Sequence, residues 1–136
     1  MRKQKKSMNK SVVFDSSALL ALLQQEKGSD VIQSLLNDAI MSAVNVAETL
    51  TALKRIHISP QEALTSIPDM IKIIVPFDLE QAQYVAELYP HGKNKGLSLG
   101  DRACIALGIK LKAPIYTADK IWEQLSIDNA DIRVIR

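Results

Sequence analysis

The sequence predicts an α/β fold: a mostly parallel five-stranded sheet with about seven helices packed on both faces. Three observations carry that expectation. Short β-branched runs alternate along the chain with longer segments of helical periodicity. No internal repeat, low-complexity block or linker interrupts the alternation from residue 11 to residue 136. Finally, 136 residues with 47% hydrophobic and 24% charged side chains match the size and composition of one ordinary globular domain.

The elements follow in order. Val12–Phe14 reads as a strand and runs straight into Asp15, Ser16 and Ser17 and a helical run from Ala18 to Gln25, which Gly28 stops. A helix over Asp30–Asn37 would turn Val31, Ile32, Leu35 and Leu36 inward. Ile40–Ala43 is a short strand and Val44–Ile56 a helix. Ser59 then caps a helix with Pro60 at its first position, running towards Ile67. Ile71–Val75 is the most β-like stretch, and Leu79–Tyr89 is a helix with Ala82, Val85, Ala86 and Tyr89 on one side. After the polar loop His91–Gly96, Ser98 caps a helix over Leu99–Leu111. Pro114–Tyr116 is a strand, Lys120–Leu125 a short helix, and Ile132–Ile135 the last strand.

Composition removes several function classes. No apolar run approaches the ~18–20 residues of a membrane span. The lone Cys104 excludes an internal disulfide framework or a thiolate metal cluster, and suits a reducing, cytoplasmic setting. The formal charge of +2 conceals a split. Five of the 17 Lys and Arg fall in Met1–Lys10, which hold no acid, so the remainder carries 12 basic against 15 acidic groups. With no apolar stretch behind its charges, this tail does not read as a secretory signal. It reads either as a loose phosphate-attracting arm or as a disordered extension, and Met8, a candidate internal start, favours the second.

The acids of the body are ordered by the fold. In an open parallel sheet the reactive crevice lies beyond the carboxyl ends of the strands. Asp15 follows the first strand directly, in VVFDSSALLALL, and Asp119 follows the fourth, in APIYTADKIW. Asp101 lies in the first turn of its helix, in LSLGDRACIAL, and Glu48 in the helix after the second strand, in SAVNVAETL. Four carboxylates meeting in one pocket repel one another and need a cation to stay ionised. Oxygen-only ligands select Mg²⁺ or Mn²⁺, whose best-suited chemistry here is phosphodiester hydrolysis. Each acid also has a plain structural role open to it. Asp15 and Asp119 both precede helices and suit N-caps, and Asp101 in a first turn complements the helix dipole. Glu48 fits such a role least, because Val44, Val46, Ala47 and Leu50 make its stretch of helix apolar.

In their order and context, VVFDSSALLALL, NVAETL, LSLGDRACIAL and IYTAD resemble the four motif regions of PIN-domain ribonucleases, most of all the small VapC-type toxins of bacteria. The resemblance covers about Ser11 to Arg136. It implies a PIN-like three-layer sandwich and a metal-dependent endoribonuclease, with Asp15, Glu48, Asp101 and Asp119 as its acidic site holding Mg²⁺ or Mn²⁺. Ser17 and Thr117 match small hydroxyl positions that support such a site. The resemblance further implies an RNA substrate, a homodimer and a cognate antitoxin whose basic or aromatic segment blocks the crevice. No core acid is missing, whereas the basic extension is longer than is usual before the first motif.

Other candidate residues are weaker. His57 and His91 lack a paired His or Cys at ligand spacing, Cys104 reads as a buried apolar side chain, and Trp122 as packing. Lys93, Lys95 and Arg102 lie around the approach to Asp101, either as solvated charges or as contacts to RNA phosphates. Two further functions compete. A PIN scaffold that binds RNA or protein without turnover is argued against by the complete acidic quartet. A phosphoacceptor receiver domain wants an acidic pair after the first strand, where Asp15 stands with Ser16 and Ser17 instead.

Overall fold

A computed structural model of the chain describes residues 10–136, so all but the last residue of the basic tail lies outside the described residues. The described residues form strands β1 (Val12–Phe14), β2 (Ala39–Ser42), β3 (Ile73–Val75), β4 (Ile115–Thr117) and β5 (Ile132–Val134). Between them lie helices α1 (Ser16–Leu23), α2 (Ser29–Leu35), α3 (Ala43–Arg55), α4 (Pro60–Met70), α5 (Leu79–Glu87) and α6 (Leu99–Leu111). The seventh expected helix is a 3₁₀ turn over Lys120–Gln124; its Trp122 is buried as packing.

All five strands pair in parallel, in the order β3-β2-β1-β4-β5. One register row crosses the sheet through Ile73, Ile40, Val13, Ile115 and Ile132, so β-branched side chains stack from strand to strand. Side chains of a strand alternate between faces, and the core divides accordingly. Val12, Phe14, Ala39 and Met41 pack with Ala18 and Leu19 of α1, Ile32 of α2, Val46 and Leu53 of α3, and Ala63 and Ile67 of α4. Val13, Ile40 and Ile115 pack on the other side with Cys104, Ile105 and Leu107 of α6 and with Trp122. The result is three layers, helix on sheet on helix.

Several boundaries moved, each for a local reason. Asp15 caps α1, so the helix starts at Ser16 rather than Ala18. Helix α4 continues past Ile67 to Met70 with Pro68 in its last turn, and Ile71 becomes a buried cap residue rather than the start of β3. Helix α5 ends at Glu87 rather than Tyr89; its buried positions are Gln81 and Val85, Ala86 faces outward, and Tyr89 beyond its end has 69% of its surface exposed. Val31 on α2 is likewise exposed.

The strand order reverses between β1 and β4. After β1 the chain builds outward through β2 and β3, and it then returns to the other side for β4 and β5. Adjacent crossovers leave in opposite directions at such a point and open a crevice at the carboxyl ends of the two strands. Asp15 and Asp119 follow those two ends.

Candidate active site

Asp15 is the best-held of the four acids. It caps α1 by accepting the Ala18 amide N–H at 2.8 Å, so the plain capping role and a place in the crevice coincide. The Ser17 hydroxyl, also on α1, reaches its two oxygens at 2.8 and 2.9 Å. The Thr117 hydroxyl, from the end of β4, donates to Oδ2 at 2.6 Å. Ser17 Oγ in turn accepts the Ala118 N–H at 2.9 Å, and Thr117 Oγ1 accepts the Asp119 N–H at 3.1 Å. Ser17 and Thr117 therefore tie β1 to β4 through the carboxylate between them. Only 5% of Asp15 is exposed. Burial pushes its pKa from 3.8 up to about 6; the Thr117, Ala18 and Ser17 hydrogen bonds oppose the rise and the charge of Asp101 adds to it.

Glu48, half-buried on α3, is held by a residue that sequence reasoning missed. The Asn45 amide Nδ2 donates to Glu48 Oε1 at 2.9 Å and to the Gly100 carbonyl of α6 at 3.1 Å. Both neighbours are acceptors, so the amide orientation is chemically determined. Asn45 is 1% exposed, and its Oδ1 is buried without a hydrogen-bond partner. Gly100 is the second missed residue. A Cβ there would collide with the Glu48 carboxylate, so that carboxylate lies against the start of α6 only because position 100 lacks a side chain. The sequence signal for both was NVAE and LGD, each a polar or glycine residue within one turn of an acid.

Asp101 forms a capping box at the start of α6. Its Oδ2 accepts the Ser98 N–H at 3.0 Å while Ser98 Oγ accepts the Asp101 N–H at 3.1 Å. Asp119 is exposed and caps the 3₁₀ turn by accepting the Ile121 N–H on Oδ1 at 3.0 Å. Cys104 lies fully buried one turn along α6. Its thiol pKa is raised first by burial, then by the charges of Asp15, Asp101 and Glu48 together, so it stays protonated and unreactive. The charges of those three acids thus all reach Cys104, and the Asp119 backbone N–H connects to Asp15 through the Thr117 hydroxyl.

The fourfold set is oxygen-only, which suits a hard divalent cation. Among the described residues, no three His, Cys, Asp or Glu side chains are grouped tightly enough to hold an ion. The hydrogen bonds leave capacity for one, however: Glu48 Oε2, Asp101 Oδ1 and Asp119 Oδ2 have no hydrogen-bond partner among the described residues. A cation would also offset the like charge and burial that hold Asp15 towards neutrality. In donor type and free oxygens the residues fit the group, and holding an ion would require the carboxylates to draw closer together than they stand.

The three basic candidates are split. Lys93 and Lys95 are exposed in the loop before α6. Arg102 turns towards α5, donating to the Val85 carbonyl at 3.0 Å and lying 5.9 Å from the Tyr89 ring centroid. His91 is exposed, with Nδ1 beside the Tyr89 carbonyl.

Comparison with known proteins bears on this arrangement. No curated protein matches the chain. Among solved structures it is similar to a chain of a toxin–antitoxin complex from Klebsiella pneumoniae, with 17% identity, TM-score 0.68, and 93% of this chain and 98% of that one covered. A chain of VapBC2 from Rickettsia felis, bound to a DNA fragment from their promoter, has 16% identity and TM-score 0.68 over 90% and 97% of the two chains. A chain of FitAB bound to an IR36 DNA fragment has 18% identity and TM-score 0.65 over 90% and 94%. At such identities these likenesses speak to the fold. Residues 12–127, from the first strand past the Asp119 turn, match the PIN domain as a family. With that span including all four acids, the chain belongs to the PIN-domain family.

Proposed function

We propose that the protein is a Mg²⁺- or Mn²⁺-dependent endoribonuclease and the toxin of a toxin–antitoxin pair. The observation that carries this is Asp15: a nearly buried carboxylate at the reversal point of a parallel sheet, bonded to Thr117, whose hydroxyl accepts the Asp119 backbone N–H, while the Glu48 carboxylate lies against Gly100, next to Asp101. Asp15, Glu48, Asp101 and Asp119 would hold the cation. When bound, it supplies Lewis acidity towards a phosphodiester and its attacking water.

The chain's own residues do the positioning. Ser17 and Thr117 fix the plane of the Asp15 carboxylate, and Asn45 fixes one oxygen of Glu48 against α6. Lys93 and Lys95, exposed in the loop before α6, supply positive charge for a phosphate backbone, whereas Arg102 is engaged by the Val85 carbonyl and the Tyr89 ring. An antitoxin partner is supported by the toxin–antitoxin complex from Klebsiella pneumoniae, a chain of which shares this fold. A homodimer belongs to the same reading.

The test is cleavage of total cellular RNA with Mn²⁺, with EDTA, and by Asp15→Asn and Asp101→Asn. Cleavage that requires metal and is lost in both folded variants supports the proposal. Undiminished metal-dependent cleavage by either variant sinks it, and intact RNA with retained binding points to a silent scaffold.

A further inference from the structure

Beside Asp119 lies a cleft of about 620 Å³. Its lining is continuous with the candidate site through Ser17, Ala118 and Asp119. Leu20 and Ala118 form an apolar part of the wall, Gln24 offers an amide, and Lys27, Lys120 and Arg136 supply positive charge. Arg136 pairs with Glu26 at 2.7 Å across this lining. Lys27 and Lys120 are exposed, and neither is in an ion pair among the described residues.

The wall is fixed rather than loose. Gly28, next to Lys27, has φ +95°, and a Cβ there would lie 2.8 Å from both the side chain and the carbonyl oxygen of Ile135. The turn after α1 therefore sits directly on the final segment of the chain, which holds Lys27 and Arg136 at a common edge.

We propose that this cleft is a nucleotide subsite for single-stranded RNA, taking the residue next to the phosphate at the acidic site, with Lys27 and Lys120 on its backbone. An acidic crevice needs cations on its approaches to hold a polyanion, and Lys27 and Lys120, neither in an ion pair among the described residues, supply them along the cleft that Asp119 also lines. The leucine and alanine surface accepts a base or sugar without sequence preference, and Gln24 provides donor and acceptor capacity. The proposal rests on the nuclease reading for the identity of the polyanion.

The experiment measures binding of a 5′-fluorescein, mixed-sequence 12-nucleotide RNA by anisotropy, in Mg²⁺, across a KCl series. The proteins are the wild type, Lys27→Ala/Lys120→Ala, and a control Lys54→Ala/Lys72→Ala. The control removes equal charge near the amino-terminal ends of the strands, at the end of α3 and just before β3. Losing two phosphate contacts should lower the slope of log affinity against log salt by about 1.4 and weaken binding roughly tenfold at low salt, with the control near wild type. An unchanged slope, an equal effect in the control, or no binding by the wild type overturns the subsite. So does a poly-glutamate peptide whose binding, rather than the RNA's, depends on the two lysines. RNA that binds through both lysines yet stays intact supports the subsite while refuting the nuclease reading. Cleavage with unchanged KM in the double variant does the reverse.

Discussion

Replacing Asp15 with asparagine should make the metal-free protein more stable at pH 8 and leave it nearly unchanged at pH 4.5. Asp15 has a folded pKa of about 6 against 3.8 unexposed to the fold's influence, so the folded state binds the proton more tightly than the unfolded chain. Stability from this group is therefore fully present below pH 3.8 and is lost as the pH rises through 6. The gap corresponds to about 3 kcal/mol, of which about 2 kcal/mol is regained by pH 4.5. Asparagine removes the charge but keeps an oxygen for the Ala18 N–H, and the Ser17 and Thr117 hydroxyls can turn to accept from its amide. Allowing about 1 kcal/mol for the altered hydrogen bonds leaves a gain of about 2 kcal/mol at pH 8, or about 6 °C in Tm. Thermal melts of both proteins in EDTA at the two pH values measure it, and taking their difference cancels every other titrating group. Added Mn²⁺ should then raise the Tm of the wild type at pH 8 and leave Asp15→Asn unmoved. A gain that is the same at both pH values, or a variant destabilised at both, would refute the reasoning, because neither outcome follows from an ionised buried carboxylate.

Three further outcomes are expected. Gly100→Ala should stay folded, its stability within about 1 kcal/mol of wild type because alanine favours the helix, yet lose metal-dependent cleavage, because its Cβ displaces Glu48; melts and RNA cleavage report the two effects separately. Asn45→Ala frees Glu48 Oε1 and the Gly100 carbonyl together and should cost about 1–2 kcal/mol in urea unfolding, with weaker Mn²⁺ binding by calorimetry. Gly28→Ala meets both a left-handed backbone and the Ile135 carbonyl, so it should destabilise by more than about 1 kcal/mol in the same assay, and a neutral result would mean the turn is not clamped as described.

What could be read from residues alone were features written within one element or at one boundary. The alternation of β-branched and helical runs announced the five strands, and Ser59–Pro60 and Ser98 marked helix starts because a cap is a local hydrogen bond. Asp15 and Asp119 were legible as strand-end acids for the same reason, since each is decided by its immediate neighbours. Periodicity was less reliable where an element is covered on one side only by a narrow contact. Helix α5 has an apolar stripe long enough to include Tyr89, but it ends at Glu87 and buries just Gln81 and Val85, so the tyrosine faces outward.

Tertiary structure alone decided how these parts meet. The order β3-β2-β1-β4-β5 brings Thr117 to Asp15 and opens the crevice between their strands, although a hundred residues separate the two. It sets Asn45 and Glu48 against Gly100, and Gly28 against Ile135; NVAE and LGD mark residues near an acid, but nothing in either segment says that the two meet. The raised pKa of Asp15 belongs to this level as well, because it arises mainly from burial by surrounding elements. Local hydrogen bonding and side-chain period are properties of neighbouring residues, so the sequence determined which elements form and which acids end them. Burial, close approach and charge coupling depend on distances across the folded chain, so only the assembled layers made those acids into a site.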